Sequence, residues 1–391
     1  EVDFLRKNIW YSAWKGHTRV PIFQHGEPPY LTEGGGFRFD ESGWPEIAGW
    51  ETVDLVISVP VDEEEPEGGW PVVLYVHGTG GSASGFADGI SGLEVASMLA
   101  SAGAVGMGIS LPFHGDRDMG VDPALVSFNY FNAVAGRSNF RQAAVEQIWL
   151  IESLFESGHH FWGASEELSI DLRTDPSAVA YMGHSHGGEV GIIAAPFLGH
   201  RIQGMVLSGA GGGLSISAVH RSADDYPIQE LLRDTFDFDD DEELDEHHPL
   251  VGMIQFIGEV TDPINYGPYW HQWQPNWSAA PIPILFYEGL HDVYTPPAAI
   301  EALAGAARSP ILSPVEQRSV VQELQALDGI SSPASMNIVA WDDSLVTGGL
   351  AQYADQGHFA IFNDSTAARR YRDFLRSSLY DQPIITSGEE E

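Results

Sequence analysis

Ser185 stands in the run Gly183-His-Ser-His-Gly187, a residue pattern that sets a hydroxyl on a sharp turn where it can act as a nucleophile. The β-rich stretch Ala178-Val-Ala-Tyr-Met182 leads into it, and a small-residue segment from Gly188 to Pro196 reads as the start of a helix. Strand, turn and helix close this tightly only if glycine on either side of the serine removes the Cβ atoms that would collide. A serine so placed projects its Oγ above the sheet. The backbone N–H of the next residue, His186, then points where an oxyanion would form. Acyl transfer of this kind also needs a base for the hydroxyl proton, an acid that orients the base, and further donors for the oxyanion.

Such groups have to be carried by a sheet. Pro71-Val-Val-Leu-Tyr-Val76 is a short continuous apolar run, as a strand buried on both faces requires, and it leads into His77-Gly-Thr-Gly-Gly81. Before it, Glu51–Val59 is β-branched and partly alternating, which predicts another strand. The rhythm continues with a helix around Leu93–Ala102, a strand at Ala104–Ser110, a helix at about Asn139–Glu156, and the strand before Ser185. Further strands are predicted at Gln203–Ser208, Ile282–Tyr287 and Ser335–Trp341, with a last helix from about Ser365 to Leu379. This alternation predicts an α/β fold, a doubly wound and mainly parallel sheet covered on both sides.

Residues 1–50 are rich in Trp, Gly and Pro and read as an irregular N-terminal covering segment with at most short strands; residues 51–391 form the main domain. Two stretches interrupt its rhythm. Residues 211–280 separate two predicted strands by far more than a short connection and hold the aromatics Tyr266, Tyr269, Trp270, Trp273 and Trp277, so they read as a cap over the site. Residues 117–137, with Phe128-Asn-Tyr-Phe-Asn132, are expected to line the same cleft.

Asp292 falls in Glu288-Gly-Leu-His-Asp-Val-Tyr-Thr-Pro-Pro297, and His358 in Gln356-Gly-His-Phe359, each in a loop after a predicted strand. Catalytic groups of open α/β sheets gather at such carboxyl ends. Together His77-Gly78 after a buried strand, the Ser185 turn, Gly289-Leu-His-Asp292 with Thr295-Pro-Pro297, and Gly357-His358-Phe359 resemble the α/β-hydrolase superfamily, of the serine esterase and lipase type. The resemblance covers roughly Val53 to Leu379. It implies Ser185 as nucleophile, His358 as general base and then acid, and Asp292 as the orienting carboxylate. It also implies oxyanion donors from the N–H of His186 and from Thr79 or Gly80, although Thr79 breaks the His-Gly-Gly-Gly signature of one esterase branch.

The function so implied is a serine carboxylic ester hydrolase working through an acyl-enzyme on a neutral, apolar or aryl-bearing ester, small or polymeric. The same motif also serves lipases, thioesterases, amidases, polyester hydrolases and acyl transferases, and the same fold serves non-catalytic binding modules. His77, His184, His114, Phe128, Tyr266, Trp270 and Trp273 are the expected substrate-binding residues, and His291 is expected at the mouth. His114 and Asp116 could touch substrate but read first as structural hydrogen-bonding groups, because buried polar groups usually satisfy one another, and Asp342 or Asp355 could stand in for Asp292.

No metal site is expected, because the neighbouring pairs His159-His160 and His247-His248 do not share a helix face as i, i+4 residues do. The acidic run Asp237–Glu246 lacks the calcium-loop pattern and reads as solvated surface. Neither a dinucleotide fingerprint nor a phosphate-binding loop appears, so no organic cofactor is implied.

A chain of 391 residues suits one large α/β domain with insertions, and its net charge of −38 argues against nucleic acid or an anionic membrane as partner. There is no cysteine, hence no disulfide or thiolate site. No apolar run is long enough to span a bilayer. The start at Glu1, with no apolar signal core after it, suggests that a leader or a longer upstream region was removed, and the charge fits a secreted or periplasmic protein or one from a saline habitat.

Overall fold

Ten strands build the central sheet among the described residues, which are 1–89, 92–166, 168–224, 227–238, 244–275, 279–317, 323 and 329–389 of this computed structural model. The strands are β1 (Asp3–Lys7), β2 (Tyr11–Ile22), β3 (Gly49–Pro60), β4 (Trp70–Val76), β5 (Val105–Ile109), β6 (His160–Ala164), β7 (Ser169–His184), β8 (Met205–Ser208), β9 (Ile284–Gly289) and β10 (Gly348–Tyr353). Their order is β1-β2-β3-β5-β4-β7-β8-β9-β10, with β6 paired to the first half of β7. Pairing is antiparallel from β1 to β5 and parallel from β5 to β10. An antiparallel lead followed by a parallel run in which β5 lies outside β4 is the α/β-hydrolase arrangement.

Side chains along β4 explain why the sheet needs two coats. Val72, Leu74 and Val76 join the core on one side of the sheet while Val73 and Tyr75 join the core on the other. Helices α3 (Ala133–Ser157), α4 (His186–Leu198) and α9 (Pro297–Ala307) supply the first core; α1 (Val95–Ser101) and the C-terminal helix Ser365–Tyr380 supply the second. That last helix starts where Asp364 accepts hydrogen bonds from the N–H groups of Thr366 (2.8 Å) and Ala367 (3.0 Å), which satisfies donors that the first helical turn leaves open.

Between α1 and α3 lies the short α2 (Pro123–Phe128). Between β8 and β9 come α5 (Leu214–His220), α6 (Ile228–Phe236), α7 (Pro249–Gly258) and α8 (Pro268–His271). The acidic run at 237–246 and Trp277 lie wholly or partly outside the described residues.

Two expectations need correcting. The first 49 residues are not irregular: β2 runs for 12 residues against β3 and widens the sheet by two strands with β1. Gly16 and Pro21 interrupt its β-rich composition, and only the long partner β3 holds such a strand in register. The strand before His358 is β10 rather than Ser335–Trp341, where only the two-residue ladder Ile338–Val339 with Leu345–Val346 forms. The pair Gly348-Gly349 hides β10 from a propensity reading, yet both glycines face close neighbours in the packed sheet.

Candidate active site

β7 ends in the turn that carries Ser185, whose backbone sits at φ 53°, ψ −122°, a strained conformation for a residue with a side chain. The flanking glycines are dictated by contact. A Cβ on Gly183 would lie 2.3 Å from the carbonyl oxygen of Gly187, and one on Gly187 would lie 2.1 Å from that of Val76. The turn is held by the Tyr181 hydroxyl, which donates to the Gly187 carbonyl (2.6 Å), and by the Ser185 N–H, which donates to the Ser208 carbonyl (2.7 Å). Ser185 is thereby fixed at the start of α4.

Asp292, in the loop after β9, is buried and its carboxylate is filled. Oδ1 accepts from the N–H groups of Tyr294 and Thr295, both at 2.8 Å, and Oδ2 accepts from His358 Nδ1 at 2.7 Å. Because Oδ2 can only accept, Nδ1 of His358 carries the proton and Nε2 is left with its lone pair. His358 and Ser185 line the same cavity and make no direct hydrogen bond with each other. In unliganded sites such contacts are often long and tighten when substrate arrives. Asp342 is exposed and bonded to Ser344, and Asp355 is exposed, so neither takes the place of Asp292.

The cavity holds about 890 Å³. Its wall includes the loop His77–Gly81, the residues Phe128 and Tyr130, and Leu214, Ser217 and Ala218 of α5. Among the described residues the backbone N–H groups of Thr79, Gly80 and His186 take no partner within the protein, which leaves them available to an anionic oxygen in the cavity.

The other imidazoles in the cavity wall, His77, His184 and His186, are held towards the neutral form by burial. The Leu111 N–H donates to His77 Nε2 (3.0 Å), so His77 Nδ1 holds the proton and donates to the Gly78 carbonyl (2.8 Å); burial pulls this ring down to about 3. His184 packs between the rings of His358 and Phe362, each 4.7 Å away, and burial followed by the charge of His358 holds it well below the usual histidine range. His186 packs on Phe140 at 4.5 Å and is likewise depressed, by burial first and then by His114 and His77. Rings so desolvated make poor proton acceptors. His358, bonded to a carboxylate, is the imidazole suited to that work.

His114, Tyr266, Trp270 and Trp273 lie outside the cavity lining, and His114 and Asp116 make the structural hydrogen bonds that the sequence favoured for them. His114 is fully buried behind the cavity wall, donating Nδ1–H to the Pro112 carbonyl (2.8 Å) and lying between His77 and His186. Asp116 accepts from the Asp54 N–H (2.8 Å) at the edge of β3, a structural bond. Trp270 is buried in the core against Phe286, Tyr266 packs on the same core, and Trp273 is 56% exposed beside Tyr269; none of the three lines the cavity. His291 is exposed and lines a shallower depression with Asp292 and Val293. His77, His184 and Phe128 do line the cavity.

Glu189, Arg221, Asp262 and Tyr294 line the cavity too, and sequence reasoning passed over them. Glu189 had a visible signal, a single acid in the otherwise apolar and glycine-rich helix α4. Among the described residues no group of three or more His, Asp or Glu is arranged to hold a metal ion, and no helix is long and apolar enough to cross a membrane.

No family model and no curated protein matches the chain. Among solved structures it is similar to the acetyl xylan esterase from Paenibacillus sp. R4, at 15% identity and a TM-score of 0.48 over 92% of this chain and 83% of that one. Acetyl xylan esterase 1 from Thermoanaerobacterium sp. JW/SL YS485 gives 14%, 0.48, and 92% and 82%. The acylaminoacyl peptidase of Pyrococcus horikoshii gives 13%, 0.49, and 91% and 42%. Likeness at this level assigns no role to any residue.

Proposed function

We propose that this chain is a serine hydrolase that cleaves a carboxylic ester through an acyl-enzyme. The observation that carries the reading is the buried hydrogen bond of 2.7 Å from Asp292 to His358, the imidazole in the wall of the cavity that Ser185 also lines. Ser185 Oγ attacks the ester carbonyl carbon as His358 Nε2 takes its proton. The oxyanion is received by the N–H of His186 and that of Thr79 or Gly80. His358 then returns the proton to the leaving alcohol oxygen as the C–O bond breaks, and water repeats the sequence to release the acid and restore the serine. Asp292 keeps the proton on Nδ1 throughout and balances the imidazolium charge. Phe86, Phe128, Phe140 and Phe362 in the cavity wall support an apolar or aryl body for the substrate.

A fluorophosphonate that forms a covalent bond with activated serines tests the reading. The native chain is expected to label and Ser185→Ala to remain unlabelled, with p-nitrophenyl esters from acetate to palmitate then defining the acyl length. A native chain that resists the reagent overturns the proposal.

A further inference from the structure

Among the acids that line the cavity, one has no hydrogen-bond partner in the described protein. Glu189 lies one helical turn after Ser185 on α4, with its carboxyl in the cavity wall and without a hydrogen-bond partner among the described residues. A partly buried carboxyl that the protein leaves without donors is open to the donors of a ligand in the cavity. Its neighbours do not supply them. Asp262 is saturated, accepting from the N–H groups of Gly213 (2.8 Å), Leu214 (2.9 Å) and Ile264 (3.0 Å) and from Gln255 Nε2 (2.7 Å). Arg221 is directed at Tyr294, donating to its carbonyl at 3.1 Å with the guanidinium 5.2 Å from the ring centre. Burial first and the charge of Asp262 second push Glu189 up to about 8, with Arg221 offsetting part.

The balance of charge around the cavity points to the sign of the missing partner. Its described lining residues carry Glu94, Asp122, Glu189 and Asp262 against one arginine, Arg221, and no lysine. A hydroxyl would bring Glu189 one donor and no charge. An ammonium brings three donors and the opposite charge, and the acid gives up its proton to water as the pair forms.

We propose that Glu189 is a specificity-determining residue that binds a primary ammonium group of the substrate, so that the ester opened by Ser185 carries an amino substituent about one helical turn from the scissile carbonyl. This rests on the hydrolase reading and narrows it, replacing the neutral ester expected from sequence with one that has an apolar body and a cationic end.

Calorimetry on the Ser185→Ala protein with benzylamine and benzyl alcohol tests the site without turnover. Benzylamine is expected to bind at least about tenfold more tightly than the alcohol, and adding Glu189→Gln is expected to bring the ratio near one. Equal binding of the two probes by Ser185→Ala, or an amine preference that survives Glu189→Gln, overturns the proposal. Turnover gives a second readout, with the 2-naphthyl ester of 3-(aminomethyl)benzoic acid, whose nitrogen lies about one helical turn from the carbonyl carbon, compared with its N-acetylated form. The ratio of kcat/KM is expected to favour the free amine through KM in the native chain, to collapse in Glu189→Gln, and to return in part in Glu189→Asp. If neither ester is cleaved while benzylamine binding depends on Glu189, the hydrolase reading fails and the amine site stands. If both esters are cleaved without preference, the amine site fails and the hydrolase stands.

Discussion

Asp292 shows how little freedom a single side chain has here. Two backbone N–H groups hold Oδ1, so the carboxyl cannot turn, and Oδ2 alone faces His358 Nδ1. Asn at this position keeps the shape but presents an NH₂ to the ring, which forces the proton onto Nε2 and removes the lone pair that would accept the serine proton. Asp292→Asn is therefore expected to lower kcat about 10⁴-fold with KM nearly unchanged, as steady-state hydrolysis of a p-nitrophenyl ester would show. Asp292 and His358 were legible as polar residues of short local motifs, and the fold joins them by a 2.7 Å hydrogen bond although the strand before His358 lies elsewhere than expected. Sequence position misplaces Trp270 and Tyr266 because an aromatic cluster fits a packed core as well as a pocket, and only the third dimension tells them apart.

At the scale of elements, the end of β9 carries a second consequence. Glu288 is fully buried, with one oxygen accepting from Gln352 Nε2 at 2.9 Å. Burial first, with Glu301 and Asp292 adding to it, pushes its carboxyl from 4.5 up to about 8. A folded-state value above the unfolded one favours the protonated form, so this contribution is complete at acidic pH and is lost as pH rises from the ordinary carboxylate range through about 8. Melting temperatures are expected to fall over that interval in the native chain and to fall less in Glu288→Gln; parallel curves would disprove it. The buried parallel strands β4 and β9 were legible as continuous apolar runs. β10 and β2 were not, because glycine and proline lower local propensity while long pairings with β9 and β3 override it.

For the molecule as a whole, the charge of −38 on 391 residues dominates. Self-repulsion of this size is screened by salt, so the melting temperature is expected to rise between low and about molar sodium chloride, and a flat or falling curve in differential scanning calorimetry would refute that. Composition made this property readable without coordinates, whereas the antiparallel lead of the sheet rests on contacts between residues about 40 positions apart that no local pattern reports. Asp262 also closes a loop of the chain. By accepting from Gly213 and Leu214 it brings together the two ends of the segment 213–262, which holds α5, α6 and α7, and by accepting from Ile264 it caps the turn that follows. A segment whose entry and exit meet can be exchanged as one cassette, so the chemistry at Ser185 and the choice of what reaches it can diverge separately in evolution or on the bench.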